Sequence, residues 1–258
     1  MRKKGILVVS SGSINNEAIK VSIEAIENII AEEFKEWEVR RAFTSEIIIK
    51  KLKQNDGIVI DKIEEALEKM KAEEFSEVIL QPLHIIPGSE YKKIVELIKK
   101  YKNSFEVIKS GRTILFYKED YKKALDALRF QIPSLKSNEG IVLVGHGTKH
   151  TANIYYKEFQ ETINKENLRL YVGTLDECPT IYDIIPKLRE DNIEEVLLMP
   201  YMLVFGGHGR RDIAGDGEGS WKSILRREGF KVRIYGHGLG ENIEYQKLYL
   251  QHVKDVIK

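Results

Sequence analysis

The sequence has a single cysteine. Cys178 has no partner in the chain, which excludes an internal disulfide and leads one to expect a reducing, cytoplasmic compartment. Charge of one sign is also missing: 41 Lys and Arg stand against 40 Asp and Glu, a formal net charge of +1. That balance gives no broad field for nucleic acid or an anionic membrane, so a polar partner has to be recognised locally. Long hydrophobic runs are missing too. The opening "MRKKGILVVSSGS" has a basic lead, but its apolar run covers only residues 5–9, too short for a secretory core or a membrane span, and it reads as a first β-strand. At 258 residues the size calls for no staples: there is length for one large domain or for two halves of about 120 to 130 residues, each with its own core.

What is present is an alternation. Short runs of Val, Ile and Leu are followed by stretches of helical period, the pattern of βα units around a parallel sheet, so the fold class is α/β. In the first half "GILVVSS" predicts a strand, and Ile19, Ile23, Ile26, Ile30 and Phe34 mark one buried helix face. The next helix is expected from Asp61, with Ile63, Leu67 and Met70 inward, and "EVILQPLHIIPG" then predicts a strand running into a loop. Periodicity lapses in "QIPSLKSNEG", residues 131–140, the candidate linker. Further on, Pro186 interrupts the apolar series Ile181, Ile184, Ile185 and Leu188, so that helix is expected to start late or to kink.

After the linker the pattern repeats. "GIVLVGHGT" echoes "GILVVSSGS", and "EEVLLMPYMLVFGGHG" echoes "SEVILQPLHIIPGSEY" with Pro82 over Pro200. In this register Ser11 falls over His146 and Glu90 over His208; "FTSE" against "GTLD" sets Glu46 over Asp176. Two related halves with a cleft between them are expected. In open α/β units ligands bind beyond the carboxyl ends of the strands. That is where Ser11, His84 and Glu90 fall in the first half, and His146, Asp176 and His208 in the second.

Two imidazoles and a carboxylate suit a borderline divalent ion such as Co, Ni, Fe or Zn, and three protein ligands leave positions open for transfer. Gly145 and Gly147, with Gly206, Gly207 and Gly209, let a large flat ligand approach the backbone beside each imidazole, although glycine is also common in βα turns. Other positions weigh less. His150 could pair with His146, but no acid lies between them as in a HExxH site, and a substrate-facing place suits it better. His84 is equally open to a structural role. His237 lies in "GHGLGE", which lacks the dinucleotide-binding spacing, while His252 packs with Tyr245, Tyr249 and Val256 on a terminal helix. Cys178 reads as a small buried residue sooner than as a thiolate ligand. Arg210 and Arg211 could bind a carboxylate or phosphate, or simply face solvent.

With these residues in hand, the chain resembles the class II tetrapyrrole chelatases, most closely the anaerobic sirohydrochlorin cobaltochelatases of cobalamin biosynthesis. The resemblance is carried in order by "QPLHIIPGSEY", "LVGHGTKHTAN", "GTLDECP", "MPYMLVFGGHGRRDIAGD", "SWK" and "GLGE", and "LVVSSGS" extends it over nearly the whole chain. It implies two similar flavodoxin-like halves: residues 1–130, joined by a terminal helix in 241–258, and residues 137–240, carrying the metal site. It implies ATP-independent insertion of a divalent ion, Co2+ first and Ni2+ or Fe2+ as alternatives, into sirohydrochlorin or the related precorrin-2, with no organic cofactor. It assigns the metal to His146 and His208, with His146 also the proton acceptor. The acid usual in the family's "GTxEGxP" is Glu; here Asp176 holds that place with Glu177 beside it as the alternate, and the usual "GDHA" reads "GGHG", losing a carboxylate at Gly207.

Insertion removes two pyrrole protons, and a neutral imidazole of ordinary pKa about 6.5 can take one of them near neutrality. Glu90 is the candidate for proton exit from the other half. Ser11, Gly12, His84, Lys149, Gly206, Gly207, Arg210 and Arg211 are the candidates to hold the carboxylate-rich rim. Oligomeric state is left open. Two rivals stand beside this reading: a noncatalytic tetrapyrrole or metal carrier with the same ligands, and a phosphoryl-transfer enzyme using His146, for which "VGHGT" supplies no arginine.

Overall fold

The computed structural model describes residues 2–149 and 151–257 and, of His208, the backbone alone. Strand β1 (Lys3–Ser10) leads into α1 (Asn16–Ala18), a π-helical stretch over Ile19–Glu24 and α2 (Ala25–Glu33). Asn15 caps the start, its side chain accepting from the Ala18 N–H at 3.1 Å. Then come β2 (Trp37–Phe43), α3 (Glu46–Asp56), α4 (Ile63–Ala72), β3 (Phe75–Pro82), α5 (Ser89–Tyr101), β4 (Val107–Ser110) and α6 (Lys118–Arg129). The second half holds β5 (Glu139–Gly147), α7 (Ile154–Asn164), β6 (Leu170–Asp176), α8 (Ile181–Glu190), β7 (Glu195–Pro200), α9 (Gly207–Ala214), α10 (Trp221–Arg227) and β8 (Lys231–Ile234). Helix α11 (Ile243–Ile257) ends the chain. Among the described residues no helix is long and apolar enough to cross a membrane.

The strands form two parallel four-stranded sheets of identical order, β2-β1-β3-β4 and β6-β5-β7-β8. Strands β1 and β5 are apolar through residues 5–9 and 140–145 because both of their faces are covered there. Ile6 and Val8 of β1, with Ile141 and Leu143 of β5, point into one core shared by the two sheets and lined by α2, α6, α7 and α11. Their alternates face outward to separate clusters: Leu7 and Val9 to α4 and α5, Val142 and Val144 to α8 and α10.

The internal repeat extends to backbone detail. Val9 pairs with Pro82 and Val144 with Pro200. The next residues bond alike, the Leu83 N–H to the Val9 carbonyl at 2.7 Å and the Tyr201 N–H to the Val144 carbonyl at 2.8 Å. Gly12 and Gly147, each three residues after Val9 and Val144 in the same register, are both left-handed, at φ 83° and 80°. One pairing shifts. Ser10 faces Phe43 while its counterpart Gly145 faces Thr174, so the strand register sets Phe43 against Thr174 and moves the expected equivalence of Glu46 with Asp176 by one residue.

Three sequence expectations need correction. The helix from Asp61 is α4, but α3 precedes it, started by the Ser45 cap and ended by left-handed Gly57. Its apolar residues Ile47, Ile48 and Ile49 run together instead of recurring at helical period, and Ile47 is exposed. Helix α8 does not start late: it begins five residues before Pro186, secured by Asp183, whose carboxylate accepts from the Thr180 N–H at 2.7 Å and its hydroxyl at 2.9 Å. Cys178 is exposed, not buried, because it lies in the turn that leaves the end of β6.

Candidate functional site

The carboxyl ends of the two sheets are joined from below by buried tyrosines. Tyr201, directly after β7, stacks on Phe159 at 5.0 Å between centroids, and its hydroxyl lies 3.2 Å from that of Tyr245. Tyr245 donates to the Ala124 carbonyl at 2.8 Å, and Tyr249 donates to the Leu83 carbonyl, directly after β3, at 2.9 Å. Burial pushes all three phenols up, so they remain neutral donors. Helix α11 therefore returns to the first half and fixes its strand ends relative to those of the second. The rims also touch directly: Ser13 lies against Gly206, and Ser22 lies so close to Gly240 that a Cβ there would be 2.6 Å from the serine Cβ.

His146 is exposed, one residue before the end of β5, and Gly147 pairs with Asp176 at the end of β6. Along regular strands the pleat would set His146 and Asp176 on opposite faces. Left-handed Gly147 and Glu177, at φ 80° and 63°, end that alternation where the two strands stop. Glu177 thus adopts the backbone that glycine favours and leaves Asp176 in the strand register. Three side chains hold this corner. The Asn153 amide accepts from the Thr148 N–H at 3.0 Å and donates to the Asp176 carbonyl at 3.1 Å, tying the two loops together. The Thr174 hydroxyl reaches the carbonyls of Asp176 and Glu177 at 3.0 and 2.7 Å. Tyr156 packs on Gly145, where a Cβ would be 2.6 Å from its ring. The sequence does not single out Asn153 or Thr174, since side chains that act through backbone atoms leave no period or charge pattern.

Beyond β7, Gly206 takes an extended N-cap conformation and α9 begins at Gly207, matching Gly88 at the start of α5. The His208 backbone is therefore in the first turn of α9; its side chain, like all of His150, lies outside the described residues. Among the described residues no group of three or more His, Cys, Asp or Glu side chains is placed to hold a metal. The described donors of the expected set are His146 and Asp176, with Glu177 next to it. Arg210 lies over the Phe205 ring and is 3.4 Å from the Phe205 carbonyl, and Arg211 pairs with Asp212. Lys149 is exposed beside an open cavity of about 400 Å3 lined also by Lys157, Asn153, Glu177 and Cys178.

In the first half Ser11 is exposed, and Gly12 packs on Phe43, whose ring would be 2.4 Å from a Cβ at that position. Glu90, second residue of α5, binds Lys93 through one oxygen at 3.0 Å. Its other oxygen and both ring nitrogens of His84 are buried with no hydrogen-bond partner among the described residues. His237 pairs with Glu241 at 2.6 Å, and His252 packs edge-on to Tyr249 with Nδ1 3.0 Å from the Arg112 carbonyl, the packing place expected for it.

Loss of hydration holds both buried imidazoles down to about 4, and the Arg112 guanidinium adds to the effect at His252. In the unfolded chain both return toward about 6.5, so between those values the unfolded state binds more protons. The stability they contribute is whole above pH about 6.5 and falls as pH drops toward 4, by up to about 1.4 kcal/mol per pH unit for each ring. His252→Gln is expected to flatten that fall, read by urea unfolding at a series of pH values. An unchanged slope would mean that His252 is not buried neutral.

Comparison with known proteins places the chain. The sequence model of a family described as cobalt chelatase (CbiK) matches residues 4–258. The chain is 35% identical over 255 residues to the sirohydrochlorin cobaltochelatase of Salmonella typhimurium, covering 99% of this chain and 97% of that one. It is 31% identical over 260 aligned residues to sirohydrochlorin cobaltochelatase CbiKC of Nitratidesulfovibrio vulgaris, covering 98% and 90%. In fold it is similar to SirB from Bacillus subtilis with Fe3+, at 16% identity and a TM-score of 0.64 over 98% and 95% of the chains. It is also similar to CbiX, the terminal enzyme for siroheme biosynthesis in denitrifying bacteria, at 15% identity and 0.54 over 99% and 100%.

Proposed function

Because the chain belongs to the CbiK cobalt chelatase family, we propose that it inserts Co2+ into sirohydrochlorin, with neither ATP nor an organic cofactor. The observation that carries this is kinship over nearly the full length with two sirohydrochlorin cobaltochelatases, at 35% and 31% identity.

His146, Asp176 and His208 are the side chains we assign to the incoming ion, two imidazoles and an acid that match its borderline character and leave positions for ring nitrogens. His146 both holds the ion and takes one pyrrole proton as the ion leaves it. Asp176 is assigned over Glu177 because residue 177 has the backbone of a turn glycine, which leaves the acid's place in "GTxEGxP" to Asp176. Glu90 accepts the other proton from the opposite half. The tetrapyrrole's carboxylates meet Lys149, Arg210 and Arg211, and its ring edge meets the glycine turns at Gly12, Gly206 and Gly207 with Ser11.

Asn153 sets the separation of the two loops that carry His146 and Asp176. Asn153→Ala is expected to weaken Co2+ binding about 10-fold, within the range found for side chains that orient metal ligands. Calorimetric titration with Co2+ checks this; wild-type affinity would remove Asn153 from the site's support.

The function is tested by mixing purified, metal-free protein with excess sirohydrochlorin and Co2+ and following absorbance. Many turnovers per protein support the enzyme. A burst that stops at one equivalent identifies a carrier. The same assay with Co2+, Ni2+ and Fe2+ in competition fixes the preferred ion, since imidazole and carboxylate accept all three.

A further inference from the structure

Among the described residues His84 has two buried ring nitrogens and Glu90 one buried carboxylate oxygen, all without a hydrogen-bond partner. Such atoms cost stability, and folded proteins keep few of them. Looseness does not explain these. The connecting loop is held by backbone bonds: the Ile114 N–H donates to the His84 carbonyl at 3.3 Å and the Leu115 N–H to that of Ile85 at 2.8 Å, while within the loop the Gly88 N–H donates to Ile86 at 2.9 Å. Its apolar residues Leu83, Ile85 and Ile86 are all buried, and His84 among them is half-buried with both ring nitrogens covered.

Glu90 lies in the first turn of α5, where free N–H groups favour the anion, and its charge pulls against the desolvation that keeps His84 neutral. Lys93 holds the other Glu90 oxygen. In the repeat register set by Pro82 and Pro200, these two places correspond to Met202 and His208 of the second half. The halves have diverged at matching sites, an anion with a neutral imidazole on one side and an imidazole with a thioether on the other.

Resting on the chelatase reading and on Glu90 as its second base, we infer that His84 is a positioning residue that acts through Glu90, sharing the proton that Glu90 removes from the macrocycle. The pyrrole N–H bond breaks, its electron pair stays on nitrogen for the ion, and the proton forms an O–H bond on Glu90. The new O–H of Glu90 donates a hydrogen bond to an unpaired nitrogen of the neutral His84 ring, which holds the acid in place until the proton leaves to solvent and Glu90 returns to the carboxylate. With the proton on His146, the two released protons balance the two charges of the ion.

The test uses the full chain, sirohydrochlorin and Co2+. His84→Leu removes two unpaired polar atoms and is expected to fold with an equal or higher Tm. Its kcat is expected to fall about 100-fold, the scale of a lost acid–base partner, with KM for Co2+ and for sirohydrochlorin unchanged within about twofold. His84→Ala is expected to recover turnover on addition of imidazole and not of pyrazole, a ring of the same shape and far weaker basicity. A folded His84→Leu with wild-type kcat overturns the inference, as does equal recovery by both rings, which would mark a space-filling role. Turnover by the wild-type protein in the same assay keeps these outcomes separate from a failure of the chelatase reading, which would appear as no turnover by wild type and would remove both.

Discussion

His146→Ala is expected to lower cobalt insertion at least about 1,000-fold while leaving the fold intact. One side chain is assigned two tasks, holding the ion and taking a pyrrole proton, and loss of a positioned acid–base group alone costs about 100- to 10,000-fold. Weaker hold on the ion lowers the rate further at limiting Co2+. The fold is spared because His146 is exposed beyond the buried part of β5, whose residues from Glu139 to Gly145 supply the core. A substitution outside the core shifts stability by about 0.5 kcal/mol or less. The paired readouts are turnover at saturating Co2+ and the Tm. Turnover within tenfold of wild type in a folded variant would contradict the assignment.

Gly147→Ala is expected to do the reverse, damaging the corner through the backbone. A Cβ at 147 would lie 2.2 Å from the Asp176 carbonyl oxygen and 2.8 Å from the Thr174 Cβ, on a residue at φ 80°. The carbonyl belongs to the strand whose end carries the acid and is held by Asn153 and Thr174, so it cannot swing away cheaply. We expect a loss of about 2 to 4 kcal/mol, of which about 1 to 2 kcal/mol is the left-handed backbone itself. Gly57→Ala isolates that share, because φ there is 67° and nothing lies within 4 Å of the added atom. Chemical denaturation of the two variants separates the effects. Equal losses would show that the approach of Gly147 to Asp176 carries no weight.

The βα alternation, the duplication and the strand ends bearing Ser11, His84, Glu90, His146, Asp176 and His208 are legible in the sequence because each rests on period or register. Helix α3 is not, since three adjacent isoleucines show no helical face. Cys178 misleads because a residue's small size says nothing about whether its turn is covered. The floor of tyrosines 201, 245 and 249 is hidden for a different reason: its members come from two distant segments and meet only through tertiary packing. The same holds for Asn153, which bonds backbone atoms on two strands' loops at once. Glu177 shows what the structure adds to a motif, because only its φ of 63° reveals that a charged residue occupies a glycine's conformation.

The most direct measurement is cobalt X-ray absorption on the Co2+-loaded protein, compared between wild type, His146→Ala and Asp176→Asn. Imidazole scattering that weakens in His146→Ala, with a changed oxygen shell in Asp176→Asn, is the result expected of an ion gripped where β5 and β6 end. Identical spectra from all three proteins would place the cobalt elsewhere and contradict the account.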